Sequence, residues 1–228
     1  MPDGLTHCLD MMNIYIVFGI FGIVSGIAAA FADVPLVKPG KVDTSERPVG
    51  LEVHPWWAEV PSERFKLSFW LSFLGQPGAY ITMWLLANLI SQNNEALATA
   101  LKINTFIGCY TGLLCHVAFC IKPLLYQKLC KKMTDDESAE VLKSINSVIK
   151  VPMLIGFLTL WLGGTVIVAI AIFTGALAVP KLCVLLNPVT SIIVLMVLKK
   201  CGIKIIGPLG VGFVLFSILL IIAGIQVV

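Results

Sequence analysis

Six stretches of the chain, at 13–32, 67–90, 103–121, 151–176, 182–198 and 205–228, contain no lysine, arginine, aspartate or glutamate. Each is of a length to cross the hydrocarbon core of a bilayer, which takes roughly 17–25 residues of helix. A backbone amide in that core finds no water, so each stretch must satisfy its own hydrogen bonds by forming helix. The expected fold is therefore all-α, a single transmembrane domain over 1–228 built as a polytopic six-helix bundle. Composition agrees. Hydrophobic residues make up 58% of the chain and charged residues 13%, where a soluble domain carries about 25% charge.

The charges are segregated. Lys38, Lys41, Arg47, Arg64 and Lys66 lie between the first two stretches. Lys122, Lys128, Lys131, Lys132, Lys143 and Lys150 lie between the third and fourth, and Lys199, Lys200 and Lys204 between the fifth and sixth. Only Lys102 and Lys181 fall in the other connections, a split of 14 to 2. The positive-inside rule then puts the first, third and fifth connections in the cytoplasm and both termini outside, in a multi-pass protein of the cell membrane. The first run lacks a basic residue ahead of it and a clear cleavage site, and is expected to be a retained helix. The seven cysteines are odd in number and scattered, which is no disulfide framework. No basic helix with interleaved aromatics and no zinc-finger spacing is present, so no nucleic-acid partner is expected.

The connections carry signals of their own. The first, 34–66, is expected to be an irregular cytoplasmic loop, since Pro39-Gly40 and Pro48 interrupt it. Its adjacent Trp56 and Trp57 read as an interfacial anchor, or as a segment covering a cavity mouth. In the third, Thr134 and Glu137 form a capping box. Val141, Leu142, Ile145, Val148 and Ile149 then make one apolar face. An amphipathic cytoplasmic surface helix is expected at 135–150, separated from the next span by Pro152. Gly22 and Gly26 in the first helix form a GxxxG pair suited to close helix packing.

The third stretch holds the only histidine at membrane depth, His116. Thr105, Cys109, Gly112, His116 and Cys120 follow one another at helical spacing, which makes a polar stripe that should face other helices. The second helix has a matching ridge, Ser68, Ser72, Gln76 and Tyr80. Counted along the helices, Ser72, Gln76 and His116 lie about 8, 14 and 9 Å from the inner end, with Asp33 and Arg64 below them. These residues are the candidate pocket, together with Asn187. Asn187-Pro188 in the fifth helix parallels Gln76-Pro77 in the second, and prolines at matching places would kink or break both helices. Broken helices at corresponding places in two halves are a pointer to a transporter site. A metal site needs three or four nitrogen, sulfur or carboxylate donors. No second helix supplies a histidine to join His116 and Cys120, so no metal and no cofactor are expected.

The run PKLCVLLNP from Pro180 to Pro188, followed by GPLG from Gly207 to Gly210, resembles the last two helices of a family of small bacterial six-helix membrane proteins of unknown function. Asp33 with Pro35 and His116 with Pro123 fit the same pattern. The sixth helix departs from it, with Gly212-Phe213 where a polar residue is expected. The resemblance implies the six-helix fold and no activity. Three functions stay open: binding or converting a lipophilic small molecule in a cytoplasm-facing cavity, a small secondary transporter, or a structural or partner-binding membrane subunit. Whether the chain is an enzyme is undecided, no catalytic residue stands out, and homo-oligomerisation is open. The bilayer itself is the one partner that the composition demands.

Overall fold

The structure is a computed structural model, and it describes residues 3–37, 53–201 and 207–226. Most of those residues are helical, with no strand among them. The elements are α1 (Asp3–Ala32), α2 (Val34–Val37), α3 (Glu63–Ser91), α4 (Glu95–Leu129), α5 (Asp135–Gly156), α6 (Gly164–Phe173), α7 (Pro188–Lys200) and α8 (Pro208–Gln226). Short 3-10 turns stand at Pro55–Ala58 and Lys181–Leu185. Among the described residues, three segments are long and apolar enough to cross a membrane: Ile14–Leu36, Glu95–Leu129 and Asp135–Phe173. Lys38, Lys41, Arg47, Pro39-Gly40 and Pro48 of the first connection lie outside the described residues, as do Lys204 and the first residues of the sixth stretch.

The helix starts follow local chemistry. Asn94 caps α4 by accepting from the Leu97 amide at 3.0 Å. Thr134 and Glu137 close a reciprocal capping box on α5. Asn187 accepts from the Thr190 amide at 2.9 Å ahead of Pro188, the first residue of α7. Each cap satisfies an amide that the first helical turn leaves without a carbonyl.

α1 packs into a cleft between α3 and α8. A side chain at Gly22 would run into the hydroxyls of Thr82 and Ser217, and one at Gly26 into Val214 and the Gly210 carbonyl. Thr82 Oγ1 and Ser217 Oγ bond each other at 3.2 Å behind Gly22. From the α3 side, Gly75 and Gly78 meet the backbone and side chain of Ser25. The glycines of α1 and α3 thus serve close helix packing, as the GxxxG spacing suggests. Gly207, at φ +82°, lies so close to the backbone of Ala30 that no Cβ fits there.

Three expectations from sequence need correction. Pro152 does not separate a surface helix from a span. Helix runs from Asp135 to Phe173 without a break, as α5, a wider π-helical segment at Phe157–Gly163, and α6. The amphipathic stretch 135–150 packs along α4. Ser138, Leu142 and Ile149 are buried there, whereas Val141 and Val148 are exposed. At 35 residues, α4 is about 52 Å long, well beyond a core of about 30 Å. The α4–α5 hairpin is longer than the third and fourth stretches implied, because helix propensity and interhelical packing continue past the apolar segment.

The second correction concerns Pro77, where α3 stays helical and is not broken. At Pro188 the fifth stretch is broken as expected, since a 3-10 turn precedes it and α7 starts there. Proline at the first helical position loses no bond, because that amide has no partner in any helix. The third concerns 53–62, which is not a tryptophan anchor in an interface. Trp56 and Trp57 are buried in a cluster with Leu36, Phe65, Cys120, Tyr126 and Leu142. Gln127 holds the segment in place, donating to the carbonyls of Trp57 at 2.8 Å and Val60 at 2.6 Å. Lys122, placed by sequence among the loop lysines, lies within α4, is 1% exposed, and has its ammonium 5.9 Å from the Trp57 ring centre.

Candidate polar site where α1, α3 and α4 meet

The polar stripe of α4 does turn inward: Thr105, Cys109 and Cys120 are buried, and Gly112 and His116 half-buried. Opposite His116 stands the first full turn of α3. His116 Nε2 lies 3.2 Å from Ser68 Oγ and 3.3 Å from the Ser68 carbonyl. On the other edge of the ring, Nδ1 is 3.7 Å from Asp33 Oδ1. Asp33 comes from the turn that ends α1, between Ala32 and α2. Ser68 Oγ in turn donates to the Ala32 carbonyl at 2.6 Å. Cys120 Sγ, one turn beyond His116, donates to the same hydroxyl at 3.4 Å.

The hydrogen-bond inventory fixes the tautomer. Ser68 Oγ has one proton, and the short bond to Ala32 uses it. Toward His116 the hydroxyl can only accept, and the Ser68 carbonyl can only accept as well. His116 therefore carries a proton on Nε2, and Nδ1 is the nitrogen that gains or loses one, facing Asp33. The 3.7 Å gap exceeds hydrogen-bond length. No third atom fits between them, but an amine beside the pair, off the line joining the two atoms, can donate to both, and a hydroxyl there can bridge them when Nδ1 carries a proton. The side chains are not sealed in: Asp33 is 32% and His116 13% exposed.

Asp33, His116 and Ser68 stand in the order of a carboxylate–imidazole–hydroxyl relay. The geometry is not that of a nucleophile. Ser68 is 0% exposed, and its proton points to a carbonyl, away from the base that would have to take it.

The other residues expected in the pocket divide. Arg64 donates through Nε to the Pro35 carbonyl at 2.8 Å, and its guanidinium lies 5.5 Å over the Trp56 ring, so it ties α2 and the 55–58 turn to α3. Ser72 is buried one turn from Ser68. Gln76 follows another turn on, and its buried Oε1 has no hydrogen-bond partner among the described residues. Tyr80 stacks on Trp84 at 5.5 Å and packs against Ala79, Cys109, Leu160 and Phe213. Asn187 does not join this group. It bonds Thr190 and the Val184 carbonyl in its own turn, with Thr165 Oγ1 donating to its Oδ1 at 3.5 Å.

Ser68 is the member that sequence reading left out of the pocket, although it heads the Ser68–Tyr80 ridge. Its role depends on the Ala32 carbonyl, which no motif announces. The π segment was also missed. Asn104 Nδ2 donates to the Thr159 carbonyl at 3.0 Å inside it, and Leu160 packs against Gly108 and Gly112 of α4. The pair Gly163-Gly164 was the one local cue, since a widened turn needs backbone room.

No curated protein and no solved structure matches the chain. One family model matches residues 11–228, all but the first ten. On that coverage, the chain belongs to a family of unknown function, DUF6796.

Proposed function

We propose that the chain is a multi-pass protein of the cell membrane with six crossings and both termini outside, and that it binds a lipophilic small molecule bearing a hydroxyl or amine. The observation that carries the binding site is the pair His116 Nδ1 and Asp33 Oδ1, 3.7 Å apart and partly open. Two polar atoms close together in an apolar bundle, reachable from one side by a single polar group, suit a ligand with one polar group and an otherwise apolar body. Gln76 Oε1, two turns along the ridge from Ser68, offers a further acceptor. An ionisable pair at such depth is a functional-site hypothesis in its own right. Binding is favoured over conversion because the Ser68 hydroxyl beside His116 is engaged with the Ala32 carbonyl.

Several features support the six crossings. The described parts of the first and third connections gather at one end of the bundle, where Leu36, Trp57, Tyr126 and Leu142 share one cluster, and Gly207, just past the fifth connection, abuts Ala30. The lysine-poor connections meet at the other end, where Asn93 donates to the Ala176 carbonyl. α7, with 13 residues, is about 20 Å long and short for a span on its own. The preceding 3-10 turn would complete its crossing. The transporter reading keeps one of its two broken helices, since α3 continues through Pro77 while the fifth stretch breaks at Pro188.

The test is the purified chain in mild detergent, with co-purifying small molecules extracted and identified by mass spectrometry. His116→Ala and Asp33→Asn should each lose the bound molecule while eluting as the folded protein does. Retention of the same molecule by both variants would return the pair to a packing role.

A further inference from the structure

A groove of about 390 Å³ opens where the 53–62 segment leans on the far end of α4. Its walls are Ala58, Val60 and Ser62 on one side and Leu124 and Gln127 on the other, and Lys66, Lys128 and Lys131 line it. It is distinct from the His116 site: none of its lining residues belongs to that group. We infer that this groove is a binding site for the phosphate headgroup of an anionic phospholipid of the cytoplasmic leaflet. The inference rests on the membrane reading above and needs nothing from the His116 pair.

Three features select that ligand. The first is charge. Lys128 and Lys131 form no ion pair among the described residues, and Lys66 meets only the exposed carboxylate of Glu63, at 3.0 Å. Three ammonium groups around one hollow match a phosphate and repel a cation. Gln127 spends its amide protons on the Trp57 and Val60 carbonyls, so it shapes the wall instead of binding.

The second is depth. Lys102 reaches over Trp84 near the start of α4, and a hydrocarbon core of roughly 20 residues counted from there ends near Lys122. Leu124 to Lys131 then stand at the level of the headgroups. The cytoplasmic leaflet is the one that carries anionic lipid, and basic residues beside a span draw it.

The third is the surface below. On α4 the groove-lining Leu124 is followed toward the core by exposed Ile121. On α3, Lys66 is followed at helical spacing by exposed Trp70 and Phe73. Cationic rim, apolar wall and two exposed apolar tracks repeat the order of parts in a phospholipid, from phosphate through glycerol to acyl chain. A soluble phosphate would use the rim and leave the tracks idle.

The experiment uses the full chain. Carbonate extraction of membranes comes first: a chain released from them overturns the membrane reading and this site with it. The retained chain is then purified and titrated, in mixed micelles, with fluorescently labelled phosphatidylglycerol. Unlabelled phosphatidylglycerol should displace the probe, whereas phosphatidylcholine and glycerol 3-phosphate should not. Combining Lys66→Gln, Lys128→Gln and Lys131→Gln should weaken binding roughly tenfold or more. Removing Lys199 and Lys200 on α7 by the same exchange should change it less than about twofold. All five lysines are exposed, so the variants should fold. Displacement by phosphatidylcholine as good as by phosphatidylglycerol, or equal loss in the α7 variant, would reduce the groove to unspecific attraction and overturn the inference. Displacement by glycerol 3-phosphate as good as by the lipid would overturn the lipid as its occupant.

Discussion

Replacing Ser68 by alanine removes one oxygen at which three contacts converge. The hydroxyl is 0% exposed. It donates to the Ala32 carbonyl at 2.6 Å and accepts from His116 at 3.2 Å and Cys120 at 3.4 Å. The consequences differ among the three. His116 keeps the Ser68 carbonyl, which the substitution leaves in place, at 3.3 Å. Cys120 loses only a weak thiol bond. The Ala32 carbonyl loses most, because the last four carbonyls of a helix have no partner within it. Ala32 is itself 1% exposed, so water does not readily replace the serine. A buried acceptor left without a donor costs about 1–3 kcal/mol. The expected loss is therefore about 2 kcal/mol, close to a thirtyfold shift of the folding equilibrium. The assay is reversible unfolding in mixed micelles with increasing dodecyl sulfate, followed by tryptophan fluorescence. Ser62→Ala serves as reference, since Ser62 bonds only the exposed Glu63 carboxylate and should stay within about 0.5 kcal/mol of the parent. Equal behaviour of the two variants would refute the view that Ser68 holds the end of α1 to α3.

Gly22→Ala should destabilise by about 1–3 kcal/mol in the same titration, because the added methyl collides with the Thr82 and Ser217 hydroxyls in a tightly packed helix contact; an unchanged midpoint would mean that α1 does not sit so close. For topology, exposed Cys201 at the end of α7 and a tag-borne cysteine after residue 228 should lie on opposite sides of the membrane. A membrane-impermeant maleimide on intact cells should label the tag and spare Cys201, and protection of the tag would invert or break the six-crossing order.

What sequence can and cannot show is clearest on α4. The spacing of Thr105, Cys109, Gly112, His116 and Cys120 fixed the inward face, since helical period alone decides which residues share a side. Depth from the helix end then put Asp33 near His116, and the two do meet. The parallel with Gln76-Pro77 put Asn187 in the pocket, and it bonds within its own turn instead. Spacing says where a residue lies on its own helix, while which helix stands opposite depends on packing shapes that no single segment contains.

Sequence by itself determined the helical class, because charge-free stretches in a bilayer have no other way to satisfy the backbone. It determined the capping box at Thr134 and Glu137, where a side chain bonds an amide a few residues on. It also determined the polar faces of α3 and α4. Only the tertiary structure decided that α5 continues through Pro152 against α4, and that Trp56 and Trp57 close the end of the bundle beneath Arg64 and Lys122. The Ser68 bond to Ala32 and the close approach of His116 to Asp33 belong there too. These features join segments 29 to 83 residues apart in the chain, from Arg64–Pro35 to Asn93–Ala176. Their energies come from complementarity between surfaces, which local propensity does not encode.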